Sequence, residues 1–156
     1  MKHKFFKITL FLIVLVLNQG CGYQPLLGEK NQKFNLNNSV ISGDKRLGQI
    51  LVNKFSKVED AENNLLFNIN AFKKRDITNR NSSGSASEYS INVTFNLTVI
   101  SELNRKKILD KSFSQRSTYK ASDVHINTLN REKKIVDNMI SSIAEEITKD
   151  LNLIYN

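Results

Sequence analysis

The residues able to do chemistry in this chain sit in three places. Cys21, the single cysteine, follows Lys2 and Lys4, a largely apolar run over residues 8–17 and the small residue Gly20. That pattern is a secretory signal, because a run of ten residues is too short for a bilayer that needs about 20. In an exported chain a lone cysteine has no disulfide partner of its own, which leaves its sulfur open to other covalent chemistry. Two runs of cations, Lys73-Lys74-Arg75 (with Arg80 beyond) and Arg105-Lys106-Lys107, carry the charge-assisted donors that phosphate groups accept. Little else is reactive. His125 is the one histidine outside the signal, so neither a metal cluster nor a Cys–His pair can be assembled. Gly-rich phosphate loops, Gly-x-Ser-x-Gly elbows and His-Glu-x-x-His runs do not occur. The inventory indicates a protein that binds and positions: no enzyme, no cofactor, no metal.

Cys21 stands where a bacterial lipoprotein signal places its acylated cysteine. Cleavage after Gly20 would leave Cys21 as a new terminus carrying S-diacylglycerol and N-acyl groups, although Asn18 and Gln19 depart from the apolar and small residues usual at those positions. The residues that follow, Cys21-Gly22-Tyr23-Gln24-Pro25-Leu26-Leu27-Gly28, resemble the mature start of the lipopolysaccharide-assembly lipoprotein family LptE (RlpB), alphaproteobacterial branch, with Leu27 in place of a second aromatic. The resemblance implies an α+β domain that plugs and helps to assemble the outer-membrane β-barrel LptD, contacts lipopolysaccharide, and is anchored in the outer membrane facing the periplasm and barrel lumen. Gly22, where aspartate would signal retention, suits that destination. On this reading Lys73, Lys74, Arg75, Arg105, Lys106 and Lys107 are candidate lipopolysaccharide-binding or anion-binding residues by charge and place. The alternative is a tethered periplasmic lipoprotein that binds anionic lipid without a barrel.

These residues must be held by one domain. Beyond a signal over 1–20 and a lipidated tether over 21–33, residues 34–156 make one unit of ordinary domain size. The full chain has 23 Lys and Arg against 15 Asp and Glu, and without Lys2, Lys4 and Lys7 the balance is 20 against 15, or +5. A mildly basic surface suits phosphorylated headgroups or an anionic membrane, and export disfavours nucleic acid.

Periodicity then orders the elements. Phe34, Leu36 and Val40 predict a first strand over 34–41 with one apolar side, interrupted at Asn37-Asn38-Ser39. Asp44 predicts an N-cap before Leu47, Ile50, Leu51, Phe55 and Val58, an apolar stripe on a helix over 44–58. Leu65, Phe67, Ile69 and Ala71 alternate into the first cation run, and a mobile Ser/Gly loop is expected over 79–87. Tyr89, Ile91, Val93, Phe95, Leu97 and Val99 alternate with Ser90, Asn92, Thr94, Asn96 and Thr98, the mark of a strand covered on one side only. Asn104-Arg105 predicts a tight turn into a strand over 107–119. Val136, Met139, Ile140, Ile143, Ile147, Leu151 and Ile154 form the apolar stripe of a long closing helix, whose charged face is expected to be solvated. The sum is an α+β fold, a four-stranded largely antiparallel sheet with two helices on one face, in the order β-α-β-β-β-α.

Overall fold

The alternation of apolar and polar residues becomes, in a computed structural model that describes residues 32–58 and 63–155, one sheet with one dry face. Its strands are β1 (Phe34–Gly43), β2 (Asn63–Arg80), β3 (Ala86–Ser101) and β4 (Lys107–Lys120), and its helices are α1 (Lys45–Val52) and α2 (His125–Ile154). The spatial order is β1-β2-β3-β4, so every strand lies beside its sequence neighbour. β2, β3 and β4 pair antiparallel, whereas β1 and β2 run parallel. A parallel pair requires a crossover, and α1 lies on it.

Both helices cover the same face. Phe67, Ile69, Ile91, Phe95, Leu97 and Phe113 of the sheet are buried against Leu47 and Leu51 of α1 and Ile140, Ile143, Ile147 and Leu151 of α2. Fully burying one such side chain is worth roughly 1.5–3 kcal/mol, so this shared core is what holds the layers together. Of the closing helix's predicted stripe only Ile154, in the last turn, is left substantially exposed.

Three local departures from the simple periods have physical causes. A bulge between Leu36 and Asn38 inserts an extra residue into β1. Alternation flips there, so Val40 is 59% exposed and Ile41 instead packs on the core. The first helix begins as expected, with the Asp44 side chain accepting from the Leu47 N–H at 3.1 Å, but it ends at Val52. Beyond it the chain tightens, with Lys54 N–H bonded to Leu51 and Phe55 N–H to Val52. That turn places the Phe55 ring 6.1 Å from Phe34 and edge-on to Phe67 at 5.4 Å, a packing gain that wins over helix continuation.

The polar stretch expected as a loop over 79–87 is strand at both ends. Pairing continues through Arg80↔Ala86, leaving residues 81–85 as the connection. Asn81 closes it: its backbone N–H bonds the Ser85 carbonyl, and its side-chain oxygen accepts from the Ser85 N–H and the Ser83 hydroxyl. At the start of the domain, Gln32 and Lys33, read from sequence as tether, are already docked. Gln32 donates to the Phe34 and Ser56 carbonyls, and the Lys33 N–H donates to Asn152. Cys21 and the segment expected to be a signal lie outside the described residues.

Candidate functional site

The first cation run does not form one patch, because neighbouring residues of a strand point to opposite faces. Lys73 and Arg75, opposite Val93 and Ile91, point to the helix-covered side, while Lys74, opposite Asn92, points to the other. Lys74 pairs with Asp76 two residues on, also on that face.

On the helix side, Glu132 of α2 is 8% exposed and gathers the two cations. Lys73 Nζ lies 3.2 Å from Oε1 and Arg75 a guanidinium nitrogen 3.5 Å from Oε2. Tyr119 of β4 donates to Oε2 at 2.6 Å. The Arg75 guanidinium sits 3.8 Å over the Tyr89 ring, which stacks on Tyr119 at 5.5 Å. Burial pushes the Glu132 carboxyl up, but hydrogen bonds from Tyr119 and Lys73 with the charges of Lys73 and Arg75 outweigh it, so the group titrates below its ordinary value. Burial, then the bond to Glu132, raises the Tyr119 hydroxyl far above the ordinary phenol range. Each buried polar atom here has a partner, which is the condition for a buried network to be tolerated. Two of the six cations singled out from sequence therefore tie the sheet to α2.

Sequence reasoning missed Glu132. The signal existed: Thr128, Glu132 and Val136 fall at intervals of four, extending the apolar stripe of α2 backward, and both polar members are buried. The helix's charged face is exposed at Lys133, Lys134, Asp137, Glu146 and Lys149, as expected, and ion pairs tie part of it to the rest of the domain: Lys111 of β4 binds Glu146 at 3.0 Å and Asp150 at 2.8 Å, and Lys54 binds Asp137 at 3.0 Å. Hydrogen bonds to Asp150 and Glu146 hold Lys111 above its ordinary pKa.

The second cation run caps the β3–β4 hairpin at the opposite end of the sheet. Ser101 lies opposite Leu65 and Ile91 opposite Arg75, ten residues of β3 apart and so roughly 33 Å. Arg105 takes a left-handed backbone, φ +57°, and its N–H bonds the Ser101 carbonyl. Lys107 is held by Asp110 at 2.7 Å. Glu102 is bonded by Asn37 and Asn38 across the bulge, and these two bonds, chiefly, lower its pKa. Arg105 and Lys106 are left at the exposed tip beside Leu103, which is 94% exposed.

The face that neither helix covers is polar and cross-linked between strands. Thr94 and Ser114 hydroxyls lie 2.9 Å apart, Ser114 donates to Asn92 at 3.1 Å, Thr98 to Asp110 at 3.3 Å, and Arg116 to Ser90 at 2.7 Å. Val40 and Phe72 are its exposed apolar points. Among the described residues no group of His, Cys, Asp and Glu is arranged to hold a metal ion.

Comparison with known proteins places this geometry. The family model described as LptE, lipopolysaccharide-assembly, matches residues 34–151. Rare lipoprotein B from Shewanella oneidensis superimposes with a TM-score of 0.52 at 16% identity, covering 74% of this chain and 94% of that one. A lipoprotein from Caulobacter crescentus gives 0.55 at 12% identity, covering 82% and 96%. Lipoprotein B from Nitrosomonas europaea gives 0.51 at 11% identity, covering 75% and 80%. At these identities the likeness is one of fold. A comparison with curated protein sequences finds no match.

Proposed function

We propose, because this chain belongs to the LptE lipopolysaccharide-assembly family, that it is a lipid-anchored plug of the LptD outer-membrane β-barrel. Acyl groups on Cys21 anchor it to the outer membrane. One chain holds a protein only marginally, and further chains make attachment durable. The domain then sits in the barrel lumen and keeps the barrel competent to insert lipopolysaccharide, with no reaction of its own.

The observation that carries this reading is the uncovered sheet face. Its β3 and β4 strands present a hydrogen-bonded strip of Asn, Thr and Ser that no helix of the domain packs against, flanked by a few charged and apolar side chains. Barrel interiors of this kind are polar, and a polar wall is matched by a polar insert. Lipopolysaccharide contact is assigned to the hairpin tip, where Arg105 and Lys106 offer phosphate donors beside the exposed Leu103. Lys73 and Arg75 are already committed to Glu132 and contribute less.

The test is affinity purification of the tagged chain from membranes, with mass-spectrometric identification of partners and of the mass on Cys21. Co-purification of LptD and an acylated Cys21 are expected. An unmodified chain, soluble and without a barrel, would overturn the reading.

A further inference from the structure

α1 and α2 do not close fully over the sheet. Between them lies a cleft of about 400 Å³, within the range of sites that take small ligands. Leu47 and Val136 are buried at its base, Ile50 is half-buried, and Leu129 stands 40% exposed at its lip, so its lining carries four aliphatic side chains. Asn130, the cations Arg46, Lys73 and Lys133 and the acids Asp44, Glu132 and Asp137 complete it.

The charges do not cancel once their partners are counted. Glu132 is answered by Lys73 and Arg75, Asp137 by Lys54, and Asp44 accepts the Leu47 N–H as helix cap. The lining itself holds three cations (Arg46, Lys73, Lys133) and three carboxylates, and Lys54 and Arg75, reaching these carboxylates from outside the lining, bring the local count to five against three. Among the described residues Arg46 and Lys133 have no ion-pair partner, and both are exposed at the cleft. An aliphatic trough with two uncommitted cations on its rim is complementary to a ligand with an alkyl chain and a negatively charged head.

We infer that the α1–α2 cleft binds a single alkyl chain bearing a phosphate monoester, with the chain along Leu47, Ile50, Leu129 and Val136 and the phosphate between Arg46 and Lys133. This goes beyond the plug role, which uses the opposite face and the hairpin tip and needs no cleft.

The test is calorimetric titration of the purified exported chain with decyl phosphate below its micelle concentration, with decyl maltoside and inorganic phosphate as separate arms. Decyl phosphate is expected to bind at one site, and both controls far more weakly, because each carries half of the recognised chemistry. Arg46→Gln and Lys133→Gln are each expected to weaken binding roughly tenfold, the scale of one charge-assisted hydrogen bond. Both side chains are exposed, so the fold is kept, and methyl NMR shifts should centre on Ile50 and Leu129. Unchanged affinity in the double variant, equal binding of either control, or shifts centred on the hairpin tip would each overturn the assignment. Loss of LptD association with decyl phosphate binding intact would sink the plug role alone; the reverse pattern would sink the cleft alone.

Discussion

Tyr119 on β4 and Glu132 on α2 are joined by a 2.6 Å hydrogen bond whose two ends are both buried, and the same carboxylate receives Lys73 and Arg75 from β2. Two strands and a helix thus meet at one side chain. Removing the charge leaves two cations without their counterion. Glu132→Gln keeps an acceptor for Tyr119 but loses both ion pairs, and should destabilise the domain by about 1–3 kcal/mol, the cations being about one-third exposed and so partly rehydrated. Tyr119→Phe should cost about 1–2 kcal/mol. Chemical denaturation of both variants and the double variant checks the coupling, and simply additive losses would show that the two residues act separately.

The same carboxylate sets a pH dependence. Its pKa is depressed in the folded state, so its contribution is present above the unfolded carboxylate value near 4.3 and is lost as pH falls through the folded value. Lys111 acts at the other limit. Its pKa is raised by Asp150 and Glu146, so that contribution is complete below about 10.4 and fades as pH rises through the folded value. Thermal melts from pH 3 to 7 should show an acid limb that shrinks in Glu132→Gln; an identical limb in both proteins would assign acid loss to other carboxylates.

Gly43 joins β1 to α1 at φ +71°, and a Cβ there would collide with the Ala71 carbonyl, a backbone atom that also accepts the Asp44 N–H at 2.8 Å. Neither the dihedral nor the contact can relax cheaply. Gly43→Ala should therefore lose about 3 kcal/mol, the left-handed cost plus the displaced turn. Gly84, at φ +82° but with open space around it, isolates the dihedral term, and Gly84→Ala should lose about 1–2 kcal/mol. Urea midpoints of the two variants separate the effects, and equal losses would remove the steric part of the argument.

How far the residues alone reveal this molecule depends on whether the local period survives packing. On β3 it does from Ile91 to Val99, where Ile91, Val93, Phe95, Leu97 and Val99 are buried while Asn92, Thr94 and Thr98 are half-buried and Asn96 exposed; just before them Ser90, on the polar side, is buried where it bonds Arg116. On β1 one inserted residue reverses the sides, and nothing short of the pairing register reveals that Val40 faces out. Lys73-Lys74-Arg75 reads as a charge cluster along the chain but is divided by the period of two that governs every strand. Glu132 falls on the stripe but is of a type that ordinarily faces water, and its burial depends on partners up to 59 residues away. The α1–α2 cleft brings residues 44–50 against residues 129–137, a juxtaposition that exists only once both helices share one face.

At the β3–β4 tip, Lys107 is bound to Asp110, so charge reversal there disturbs the hairpin as well as any ligand. Arg105 and Lys106 are the cleaner probes. Arg105→Glu with Lys106→Glu should weaken lipopolysaccharide binding by one to two orders of magnitude with little change in melting temperature. Leu103→Ser tests the apolar side of the tip. Surface-immobilised lipopolysaccharide gives the readout, and affinity unchanged in both variants would return the tip to a solvated turn.

Asn96 is the exposed residue on the uncovered face of β3, opposite Ser112 and Asn70 on its neighbours. A bulky substitution there meets no side chain of the core, because its neighbours Phe95 and Leu97 point to the other side. Asn96→Trp should therefore leave the fold stable to within about 0.5 kcal/mol. If the face lies against a barrel wall, the added ring has nowhere to go. The yield of LptD with the tagged chain should then fall several-fold, while lipopolysaccharide binding at the tip, roughly 17 Å away at five residues of strand, is retained. Leu153→Trp on the exposed side of α2 is the matched control, at a position 65% exposed on the opposite layer. Equal recovery of LptD with Asn96→Trp and with the unaltered chain would show that the barrel grips some other surface, since no rearrangement inside a packed sheet can hide an indole at its centre.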